Sequence, residues 1–313
     1  MRELLQSTTA YQTLLRDAKK GELSHATLVV FPDAKYLRAL LRECATAYFY
    51  GDSRKESLVL SEGYSECRFF PSVGGKLTVD DGAAIVEESL LRPLEGEKKL
   101  FVLDEFHNAS VRVQNKLLKI LEEPPQGVFF LLGATADFSV LPTVLSRVKK
   151  LEVAPFQEEQ IKRALLRNFP TARRQEESAS ACGGIYSVAE ELLSGGGKSF
   201  RLAEEFLLGK EREKTCRNLG DGKDGEKQAF FSAVRLILRD ALMVKTGNAR
   251  YVSADSQAVN EVANAYPVGA LVASLEYVTE AEKEIKFNAN FGQCAHVLAI
   301  RMEEEKKKWQ KLS

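Results

Sequence analysis

Two short apolar runs, at residues 100–103 and 129–133, are bounded by charged or turn-forming residues. That pattern predicts strands buried on both faces, as in a parallel sheet. Between them Asn108-Ala109-Ser110 is a helix start. Leu117, Leu118 and Leu121 continue at helical spacing, and Pro124-Pro125 stops the run. Leu141-Pro142-Thr143 then opens a short helix ending near Ser146-Arg147. Strand, helix, strand, short helix is the rhythm of a doubly wound α/β core.

Past Pro155 the rhythm changes to helices alone. Residues 158–167, a Ser/Ala-rich stretch from Glu176, and residues 186–193 read as short helices. Residues 220–226 read as a flexible polar loop. Beyond it Phe230, Phe231, Val234, Leu236, Ile237, Leu238 and Leu242 predict a broadly apolar helix, and residues 271–284 and 295–311 two more. The expected organisation is an α/β domain over 1–152, a small helical domain over 153–207 and an all-α domain over 208–313. A chain of 313 residues exceeds what one core usually holds.

Charge narrows the functional classes. With 44 basic and 44 acidic residues the chain carries no global field for autonomous nucleic-acid binding. The basic patch nearest the α/β core, Lys162, Arg163, Arg167, Arg173 and Arg174, reads as a solvated helix face. Five cysteines, Cys44, Cys67, Cys182, Cys216 and Cys294, contain no CxxC pair. The expectation is therefore free thiols and no metal. There is no apolar run of about 18 residues and no leader pattern, so a cytoplasmic protein without membrane contact is expected.

The chemistry concentrates between residues 98 and 151. Asp104 and Glu105 end the first of the two strands, where an acidic pair in phosphate-loop ATPases holds magnesium and polarises water. Three motifs follow. Asn115-Lys116-Leu117-Leu118-Lys119-Ile120-Leu121-Glu122-Glu123-Pro124-Pro125 resembles the NALLKTLEEPP signature of clamp-loader AAA+ subunits. Phe129-Phe130-Leu131-Leu132 resembles their sensor-1 strand, and Leu141-Pro142-Thr143-Val144-Leu145-Ser146-Arg147 their LLPTIxSR segment, with Val148 where the motif has cysteine. Upstream, Gly21-Glu22-Leu23-Ser24-His25-Ala26-Thr27-Leu28 is similar to the lead into the family's first core strand.

The phosphate-binding half is missing. A loop of glycines, a lysine and a hydroxyl residue should follow residue 30, because backbone N–H groups, an ammonium and a metal-binding hydroxyl together cradle triphosphate. This chain reads Phe31-Pro32-Asp33-Ala34-Lys35-Tyr36-Leu37-Arg38. Phe31, Ala34 and Tyr36 stand where glycines belong, and Leu37 and Arg38 where Lys and Thr or Ser belong. Side chains there block the close backbone approach that phosphate needs, and Asp33 repels it. Gly195-Gly196-Gly197-Lys198-Ser199 is not a substitute, since Leu192 occupies the first glycine position and no strand precedes it. Asp104-Glu105-Phe106-His107 echoes a helicase box that also requires the missing loop, and His107 reads as a surface residue.

The resemblance implies an AAA+ α/β core, a helical lid and an all-α collar. In the lid, Val188 replaces the nucleotide-sensing arginine of Gly183-Gly184-Ile185-Tyr186-Ser187-Val188-Ala189; in the last domain, Asn288-Ala289-Asn290 resembles a collar ending. It also implies a DNA polymerase III holoenzyme subunit that binds no ATP or metal itself and joins tau/gamma and delta subunits. That ring carries ATP and magnesium in neighbouring subunits and places a sliding clamp on primer–template DNA. Arg147 would be a trans arginine finger supported by Ser146, while Asp104 and Glu105 would be non-catalytic remnants. Two alternatives stay open: a divergent AAA+ ATPase of another replication or repair assembly, and a scaffold without a trans role.

Overall fold

The computed structural model describes residues 1–172, 175–193, 198–210, 212–220, 224–247, 256–286 and 289–311. Arg173, Arg174, Gly195 to Gly197 and Asn288, singled out above, lie outside them. The chain divides into two compact units, Met1–Pro155 and Phe156–Ser313.

The first unit runs α1 (Arg2–Gln6), α2 (Thr9–Lys20), β1 (Ala26–Val30), α3 (Leu37–Tyr48), α4 (Ser53–Leu60), β2 (Cys67–Phe70) and α5 (Val79–Ser89). It continues with β3 (Lys99–Leu103), a 3-10 turn (Phe106–Asn108), α6 (Val111–Glu122), β4 (Val128–Ala134), α7 (Pro142–Leu145) and β5 (Lys149–Glu152). The strands form one parallel sheet in the order β2-β3-β4-β1-β5. β3 is buried throughout and β4 almost so, whereas the edge strand β5 is mostly exposed. This explains why residues 100–103 and 129–133 are continuously apolar.

Local chemistry sets the helix ends. The Ser110 hydroxyl accepts from Val113 N–H to cap α6, and Pro124-Pro125 follow its last turn. Thr78 and Asp81 form a reciprocal capping box at the start of α5. One face of the sheet, with Leu28, Phe101, Leu103, Phe130 and Leu132, packs on Ile85, Val113, Leu117 and Leu121 of α5 and α6. The rings of Phe101 and Phe130 stack at 5.5 Å. α3 lies on β3 and β4. It approaches so closely that a Cβ on Gly133 would sit 2.5 Å from a Leu41 methyl.

From β1 the chain leaves toward β2 at one edge, and from β4 toward β5 at the other. The adjacent carboxyl ends of β1 and β4 therefore flank a topological switch point, where open α/β sheets place their ligands. Fold class is as expected in architecture: a parallel-sheet α/β unit followed by an all-helical remainder.

Among its described residues the second unit contains α8 (Glu158–Asn168), α9 (Gln175–Ala181), α10 (Tyr186–Leu193), α11 (Lys198–Leu207) and α12 (Arg212–Gly220). The remaining helices are α13 (Asp224–Lys245), α14 (Ser256–Ala265), α15 (Val268–Lys286) and α16 (Phe291–Gln310). The apolar residues 230–238 bury α13 against α11, α14 and α15. Phe206, Phe230, Phe231 and Phe291 form one aromatic cluster there. The expected polar loop at 220–226 is corrected at its ends, since α12 runs through Gly220 and α13 begins at Asp224, while residues 221–223 lie outside the described residues. Burial of the Phe230 side of α13 outweighs the weak local preference of Asp224-Gly225-Glu226. No helix of the described residues is long and apolar enough to cross a membrane.

Candidate functional site

β1 ends at Val30, and the Phe31 N–H still continues the ladder by donating to the Ala134 carbonyl, 2.8 Å. The Phe31 ring is buried, and so is Leu37 at the start of α3. The residues standing for a phosphate-loop glycine and the lysine thus serve as core. They do not fit a triphosphate, which needs open backbone and a reachable cation.

Arg38, in the hydroxyl residue's place, turns toward the tips of β2 and β3. Its Nε and Nη2 donate to the two Glu62 oxygens at 2.8 and 2.6 Å. Nη1 donates to the Pro71 carbonyl at 3.0 Å and to Asp104 Oδ2 at 3.3 Å. The guanidinium also lies 5.5 Å from the centre of the Phe69 ring. Arg42, one turn further along α3, donates to Glu62 Oε1 at 2.6 Å. Glu62 is held in place with a left-handed φ of 57°.

The charges of this cluster tune one another. Burial pushes the Asp104 carboxyl upward; the Arg38 charge and the Glu105 amide oppose that only in part, leaving it above the ordinary carboxylate value. Burial likewise opposes ionisation of Glu62, but Arg38 and Arg42 outweigh it and hold Glu62 below the ordinary value. Burial works against the Arg38 charge, and Glu62 and Asp104 more than offset it.

Glu105 leaves the sheet with a left-handed φ of 47°. Its exposed carboxylate accepts from Asn108 Nδ2 at 3.3 Å rather than facing Arg38. His107 corrects the expectation of a surface residue. It is half-buried, and its Nε2 lies 3.0 Å from the hydroxyl of Thr135, just past β4.

The serine–arginine segment lies beyond β4. The buried Gln114 of α6 accepts from Leu141 N–H at 2.8 Å and donates to the Ser139 carbonyl at 3.0 Å, fixing the approach to α7. At the other end of α7, Arg147 Nε and Nη2 reach Glu122 Oε2 at 3.1 and 3.0 Å. Arg147 Nη1 donates to the Thr143 carbonyl at 2.8 Å and to Ser146 Oγ at 3.2 Å. Arg147 is therefore folded back onto Glu122 and Thr143, with its side chain 30% exposed. The His25 ring, Nε2 at 3.0 Å, donates to the Leu121 carbonyl and ties the upstream motif to the end of α6.

Asp104 and Arg38 thus come together, as do Ser146 and Arg147, at opposite ends of α6. Twelve residues of helix separate those ends by about 18 Å. In the second unit Val188 is buried within α10, and Lys162 of the basic patch pairs with Glu176. The five cysteines are buried free thiols, and burial raises Cys182 to about 11. Among the described residues no group of three His, Cys, Asp or Glu could hold a metal ion.

Residues 6–157 match the family model described as DNA polymerase III, delta subunit. The match coincides with the sheet-bearing unit and spans every motif described in it. The matched stretch, 152 of 313 residues, is just under half of the chain, and over it the chain is similar to that family. The delta' subunit of Bacillus subtilis is 23% identical over 242 residues, covering 71% of this chain and 70% of that protein. The tau/gamma subunit of Haemophilus influenzae is 40% identical over 88 residues, 28% of this chain and 13% of that protein. The gamma/tau subunit of Mycobacterium tuberculosis is 36% identical over 69 residues, so the chain spans about an eighth (12%) of that relative's length. Among solved structures, a gamma subunit-related protein of Thermotoga maritima superposes with a TM-score of 0.45 at 16% identity, over 95% of this chain and 99% of that one.

Proposed function

We propose that the chain is a clamp-loader subunit of the delta-prime type: it binds no ATP and supplies Arg147 in trans to a neighbouring tau/gamma site. The observation that carries the reading is Arg38 paired with Asp104 and Glu62 at the metal position. A protein cation stands where magnesium would bridge acid and phosphate. Leu37 and Phe31 remove the lysine and the open loop as well. Arg147 is about 18 Å along α6 from its own acidic strand tip, which favours action on a different subunit. Ser146, touching the Arg147 guanidinium, orients it.

On this reading residues 153–207 form the lid and 208–313 the collar that joins tau/gamma and delta subunits. Sliding clamp and primer–template DNA are met through the assembled ring, in the cytoplasm. ATP and magnesium belong to the neighbours.

The test is Arg147→Ala in a ring reconstituted with delta and tau/gamma subunits. The variant is expected to fold and assemble, because Arg147 lies outside the apolar core. DNA-stimulated hydrolysis at the adjoining site should fall by about three to five powers of ten, the usual contribution of a trans arginine. Hydrolysis at the wild-type rate in that ring would remove the finger assignment and leave the scaffold role.

A further inference from the structure

Arg38 does more than interrupt a phosphate loop. We propose that its guanidinium is a tethered cation that has taken over the metal position, closing the site to divalent ions and bracing its walls without any ligand. The proposal rests on reading Asp104 as the acid that holds magnesium in ATPase members of the family, and it adds a positive role to the loss described above.

The geometry carries it. One guanidinium joins four segments: α3, which bears it; Glu62 beyond α4; Phe69 and Pro71 at the end of β2; and Asp104 at the end of β3. Its fork meets Glu62 through two nitrogens and two oxygens, the geometry that distinguishes arginine from lysine. The side chains of Arg38, Glu62 and Asp104 are only 16%, 17% and 10% exposed, so solvent screens them little.

Formal charges balance within the cluster: Arg38 and Arg42 against Glu62 and Asp104. A divalent ion entering this balanced, part-buried group would bring two uncompensated positive charges. It would also have to displace Arg38 to reach Asp104 Oδ2. Bracing by ligand in an ATPase is here replaced by bracing through a side chain. The site is thereby held in one arrangement throughout any nucleotide cycle of its neighbours.

A double-variant cycle on the isolated chain tests this. Arg38→Gln removes the charge while keeping a polar side chain, and strands the buried Asp104 carboxylate. The melting temperature of the chain should fall by about 10 °C, the scale of breaking a buried pair in a unit of this size. Adding Asp104→Asn removes the stranded charge and should recover at least half of that loss. A purely steric role for Arg38 predicts no such recovery. Millimolar magnesium should raise the melting temperature of Arg38→Gln and leave the wild type unchanged.

Wild-type stability in Arg38→Gln, or no recovery in the double variant, overturns the proposal, as does magnesium stabilisation of the wild type. If Arg38→Gln alone does not fold, the double variant decides: folded supports the tethered cation and unfolded overturns it. These readings need no ring, whereas the arginine finger is tested only in the ring, so either idea can fail alone.

Discussion

Single side chains here act across long sequence separations, and their pairings were the least legible part of the sequence. Leu37 and Arg38 could be read as the loss of a lysine and a hydroxyl residue. That Arg38 closes on Asp104, 66 positions away, is not encoded in any local period. The one available signal was two arginines four apart at the start of α3, both of which meet Glu62. Glu122 holding Arg147 and Thr135 holding His107 were invisible for the same reason.

A second long-range pair makes a pH prediction. Asp17 of α2 is buried and accepts from Lys149 of β5 at 2.6 Å. The Lys149 hydrogen bond holds its carboxyl below the ordinary value; burial opposes and Arg16 assists. A carboxyl depressed in the folded state stabilises above its unfolded pKa, and that stability is lost as pH falls through the folded value. Asp17→Asn should therefore melt below the wild type at neutral pH. The gap should shrink once pH drops below about 4, where the unfolded-state group takes up its proton. Thermal unfolding followed from neutral to acid pH measures it, and a gap independent of pH would exclude the ion pair as its cause.

At the level of elements the sequence was far more readable, because helices and buried strands carry their own periods. The helix over 186–193 coincides with α10, the run 129–133 lies inside β4, and the proline stop after α6 holds. At the ends of the expected loop, Gly220 and 224–226 are helical instead, because composition alone does not carry the packing of the following helix. What periodicity cannot supply is the approach distance between elements. Gly133 shows this: it sits in an apolar strand, and its missing side chain admits Leu41 of α3 to the sheet. Gly133→Ala should destabilise the chain by about 1–3 kcal/mol through overpacking. Leu41→Ala combined with it should recover part of the loss by emptying the space that the new methyl enters. Denaturant unfolding of the single and double variants reads both, and additive losses would place the strain elsewhere.

At the scale of the whole molecule, the positions where the resemblance expects nucleotide contacts are occupied by residues with other roles. Phe31 and Leu37 are core, Arg38 is a counter-ion, and Val188 is packing. The motifs that survive closest to the family pattern, residues 115–125 and 141–147, bear on Arg147 instead: α6 supplies Glu122, and the short helix supplies Ser146. The proposed delta-prime role accounts for that division, and the alternative of a divergent ATPase does not.

The most direct measurement pairs ATP binding by the isolated chain with DNA- and clamp-stimulated hydrolysis by the ring assembled with or without it. The account predicts no stoichiometric ATP binding by the chain alone, together with a ring that requires the chain for full hydrolysis. Stoichiometric ATP binding and hydrolysis by the isolated chain, with a ring indifferent to its presence, would contradict it.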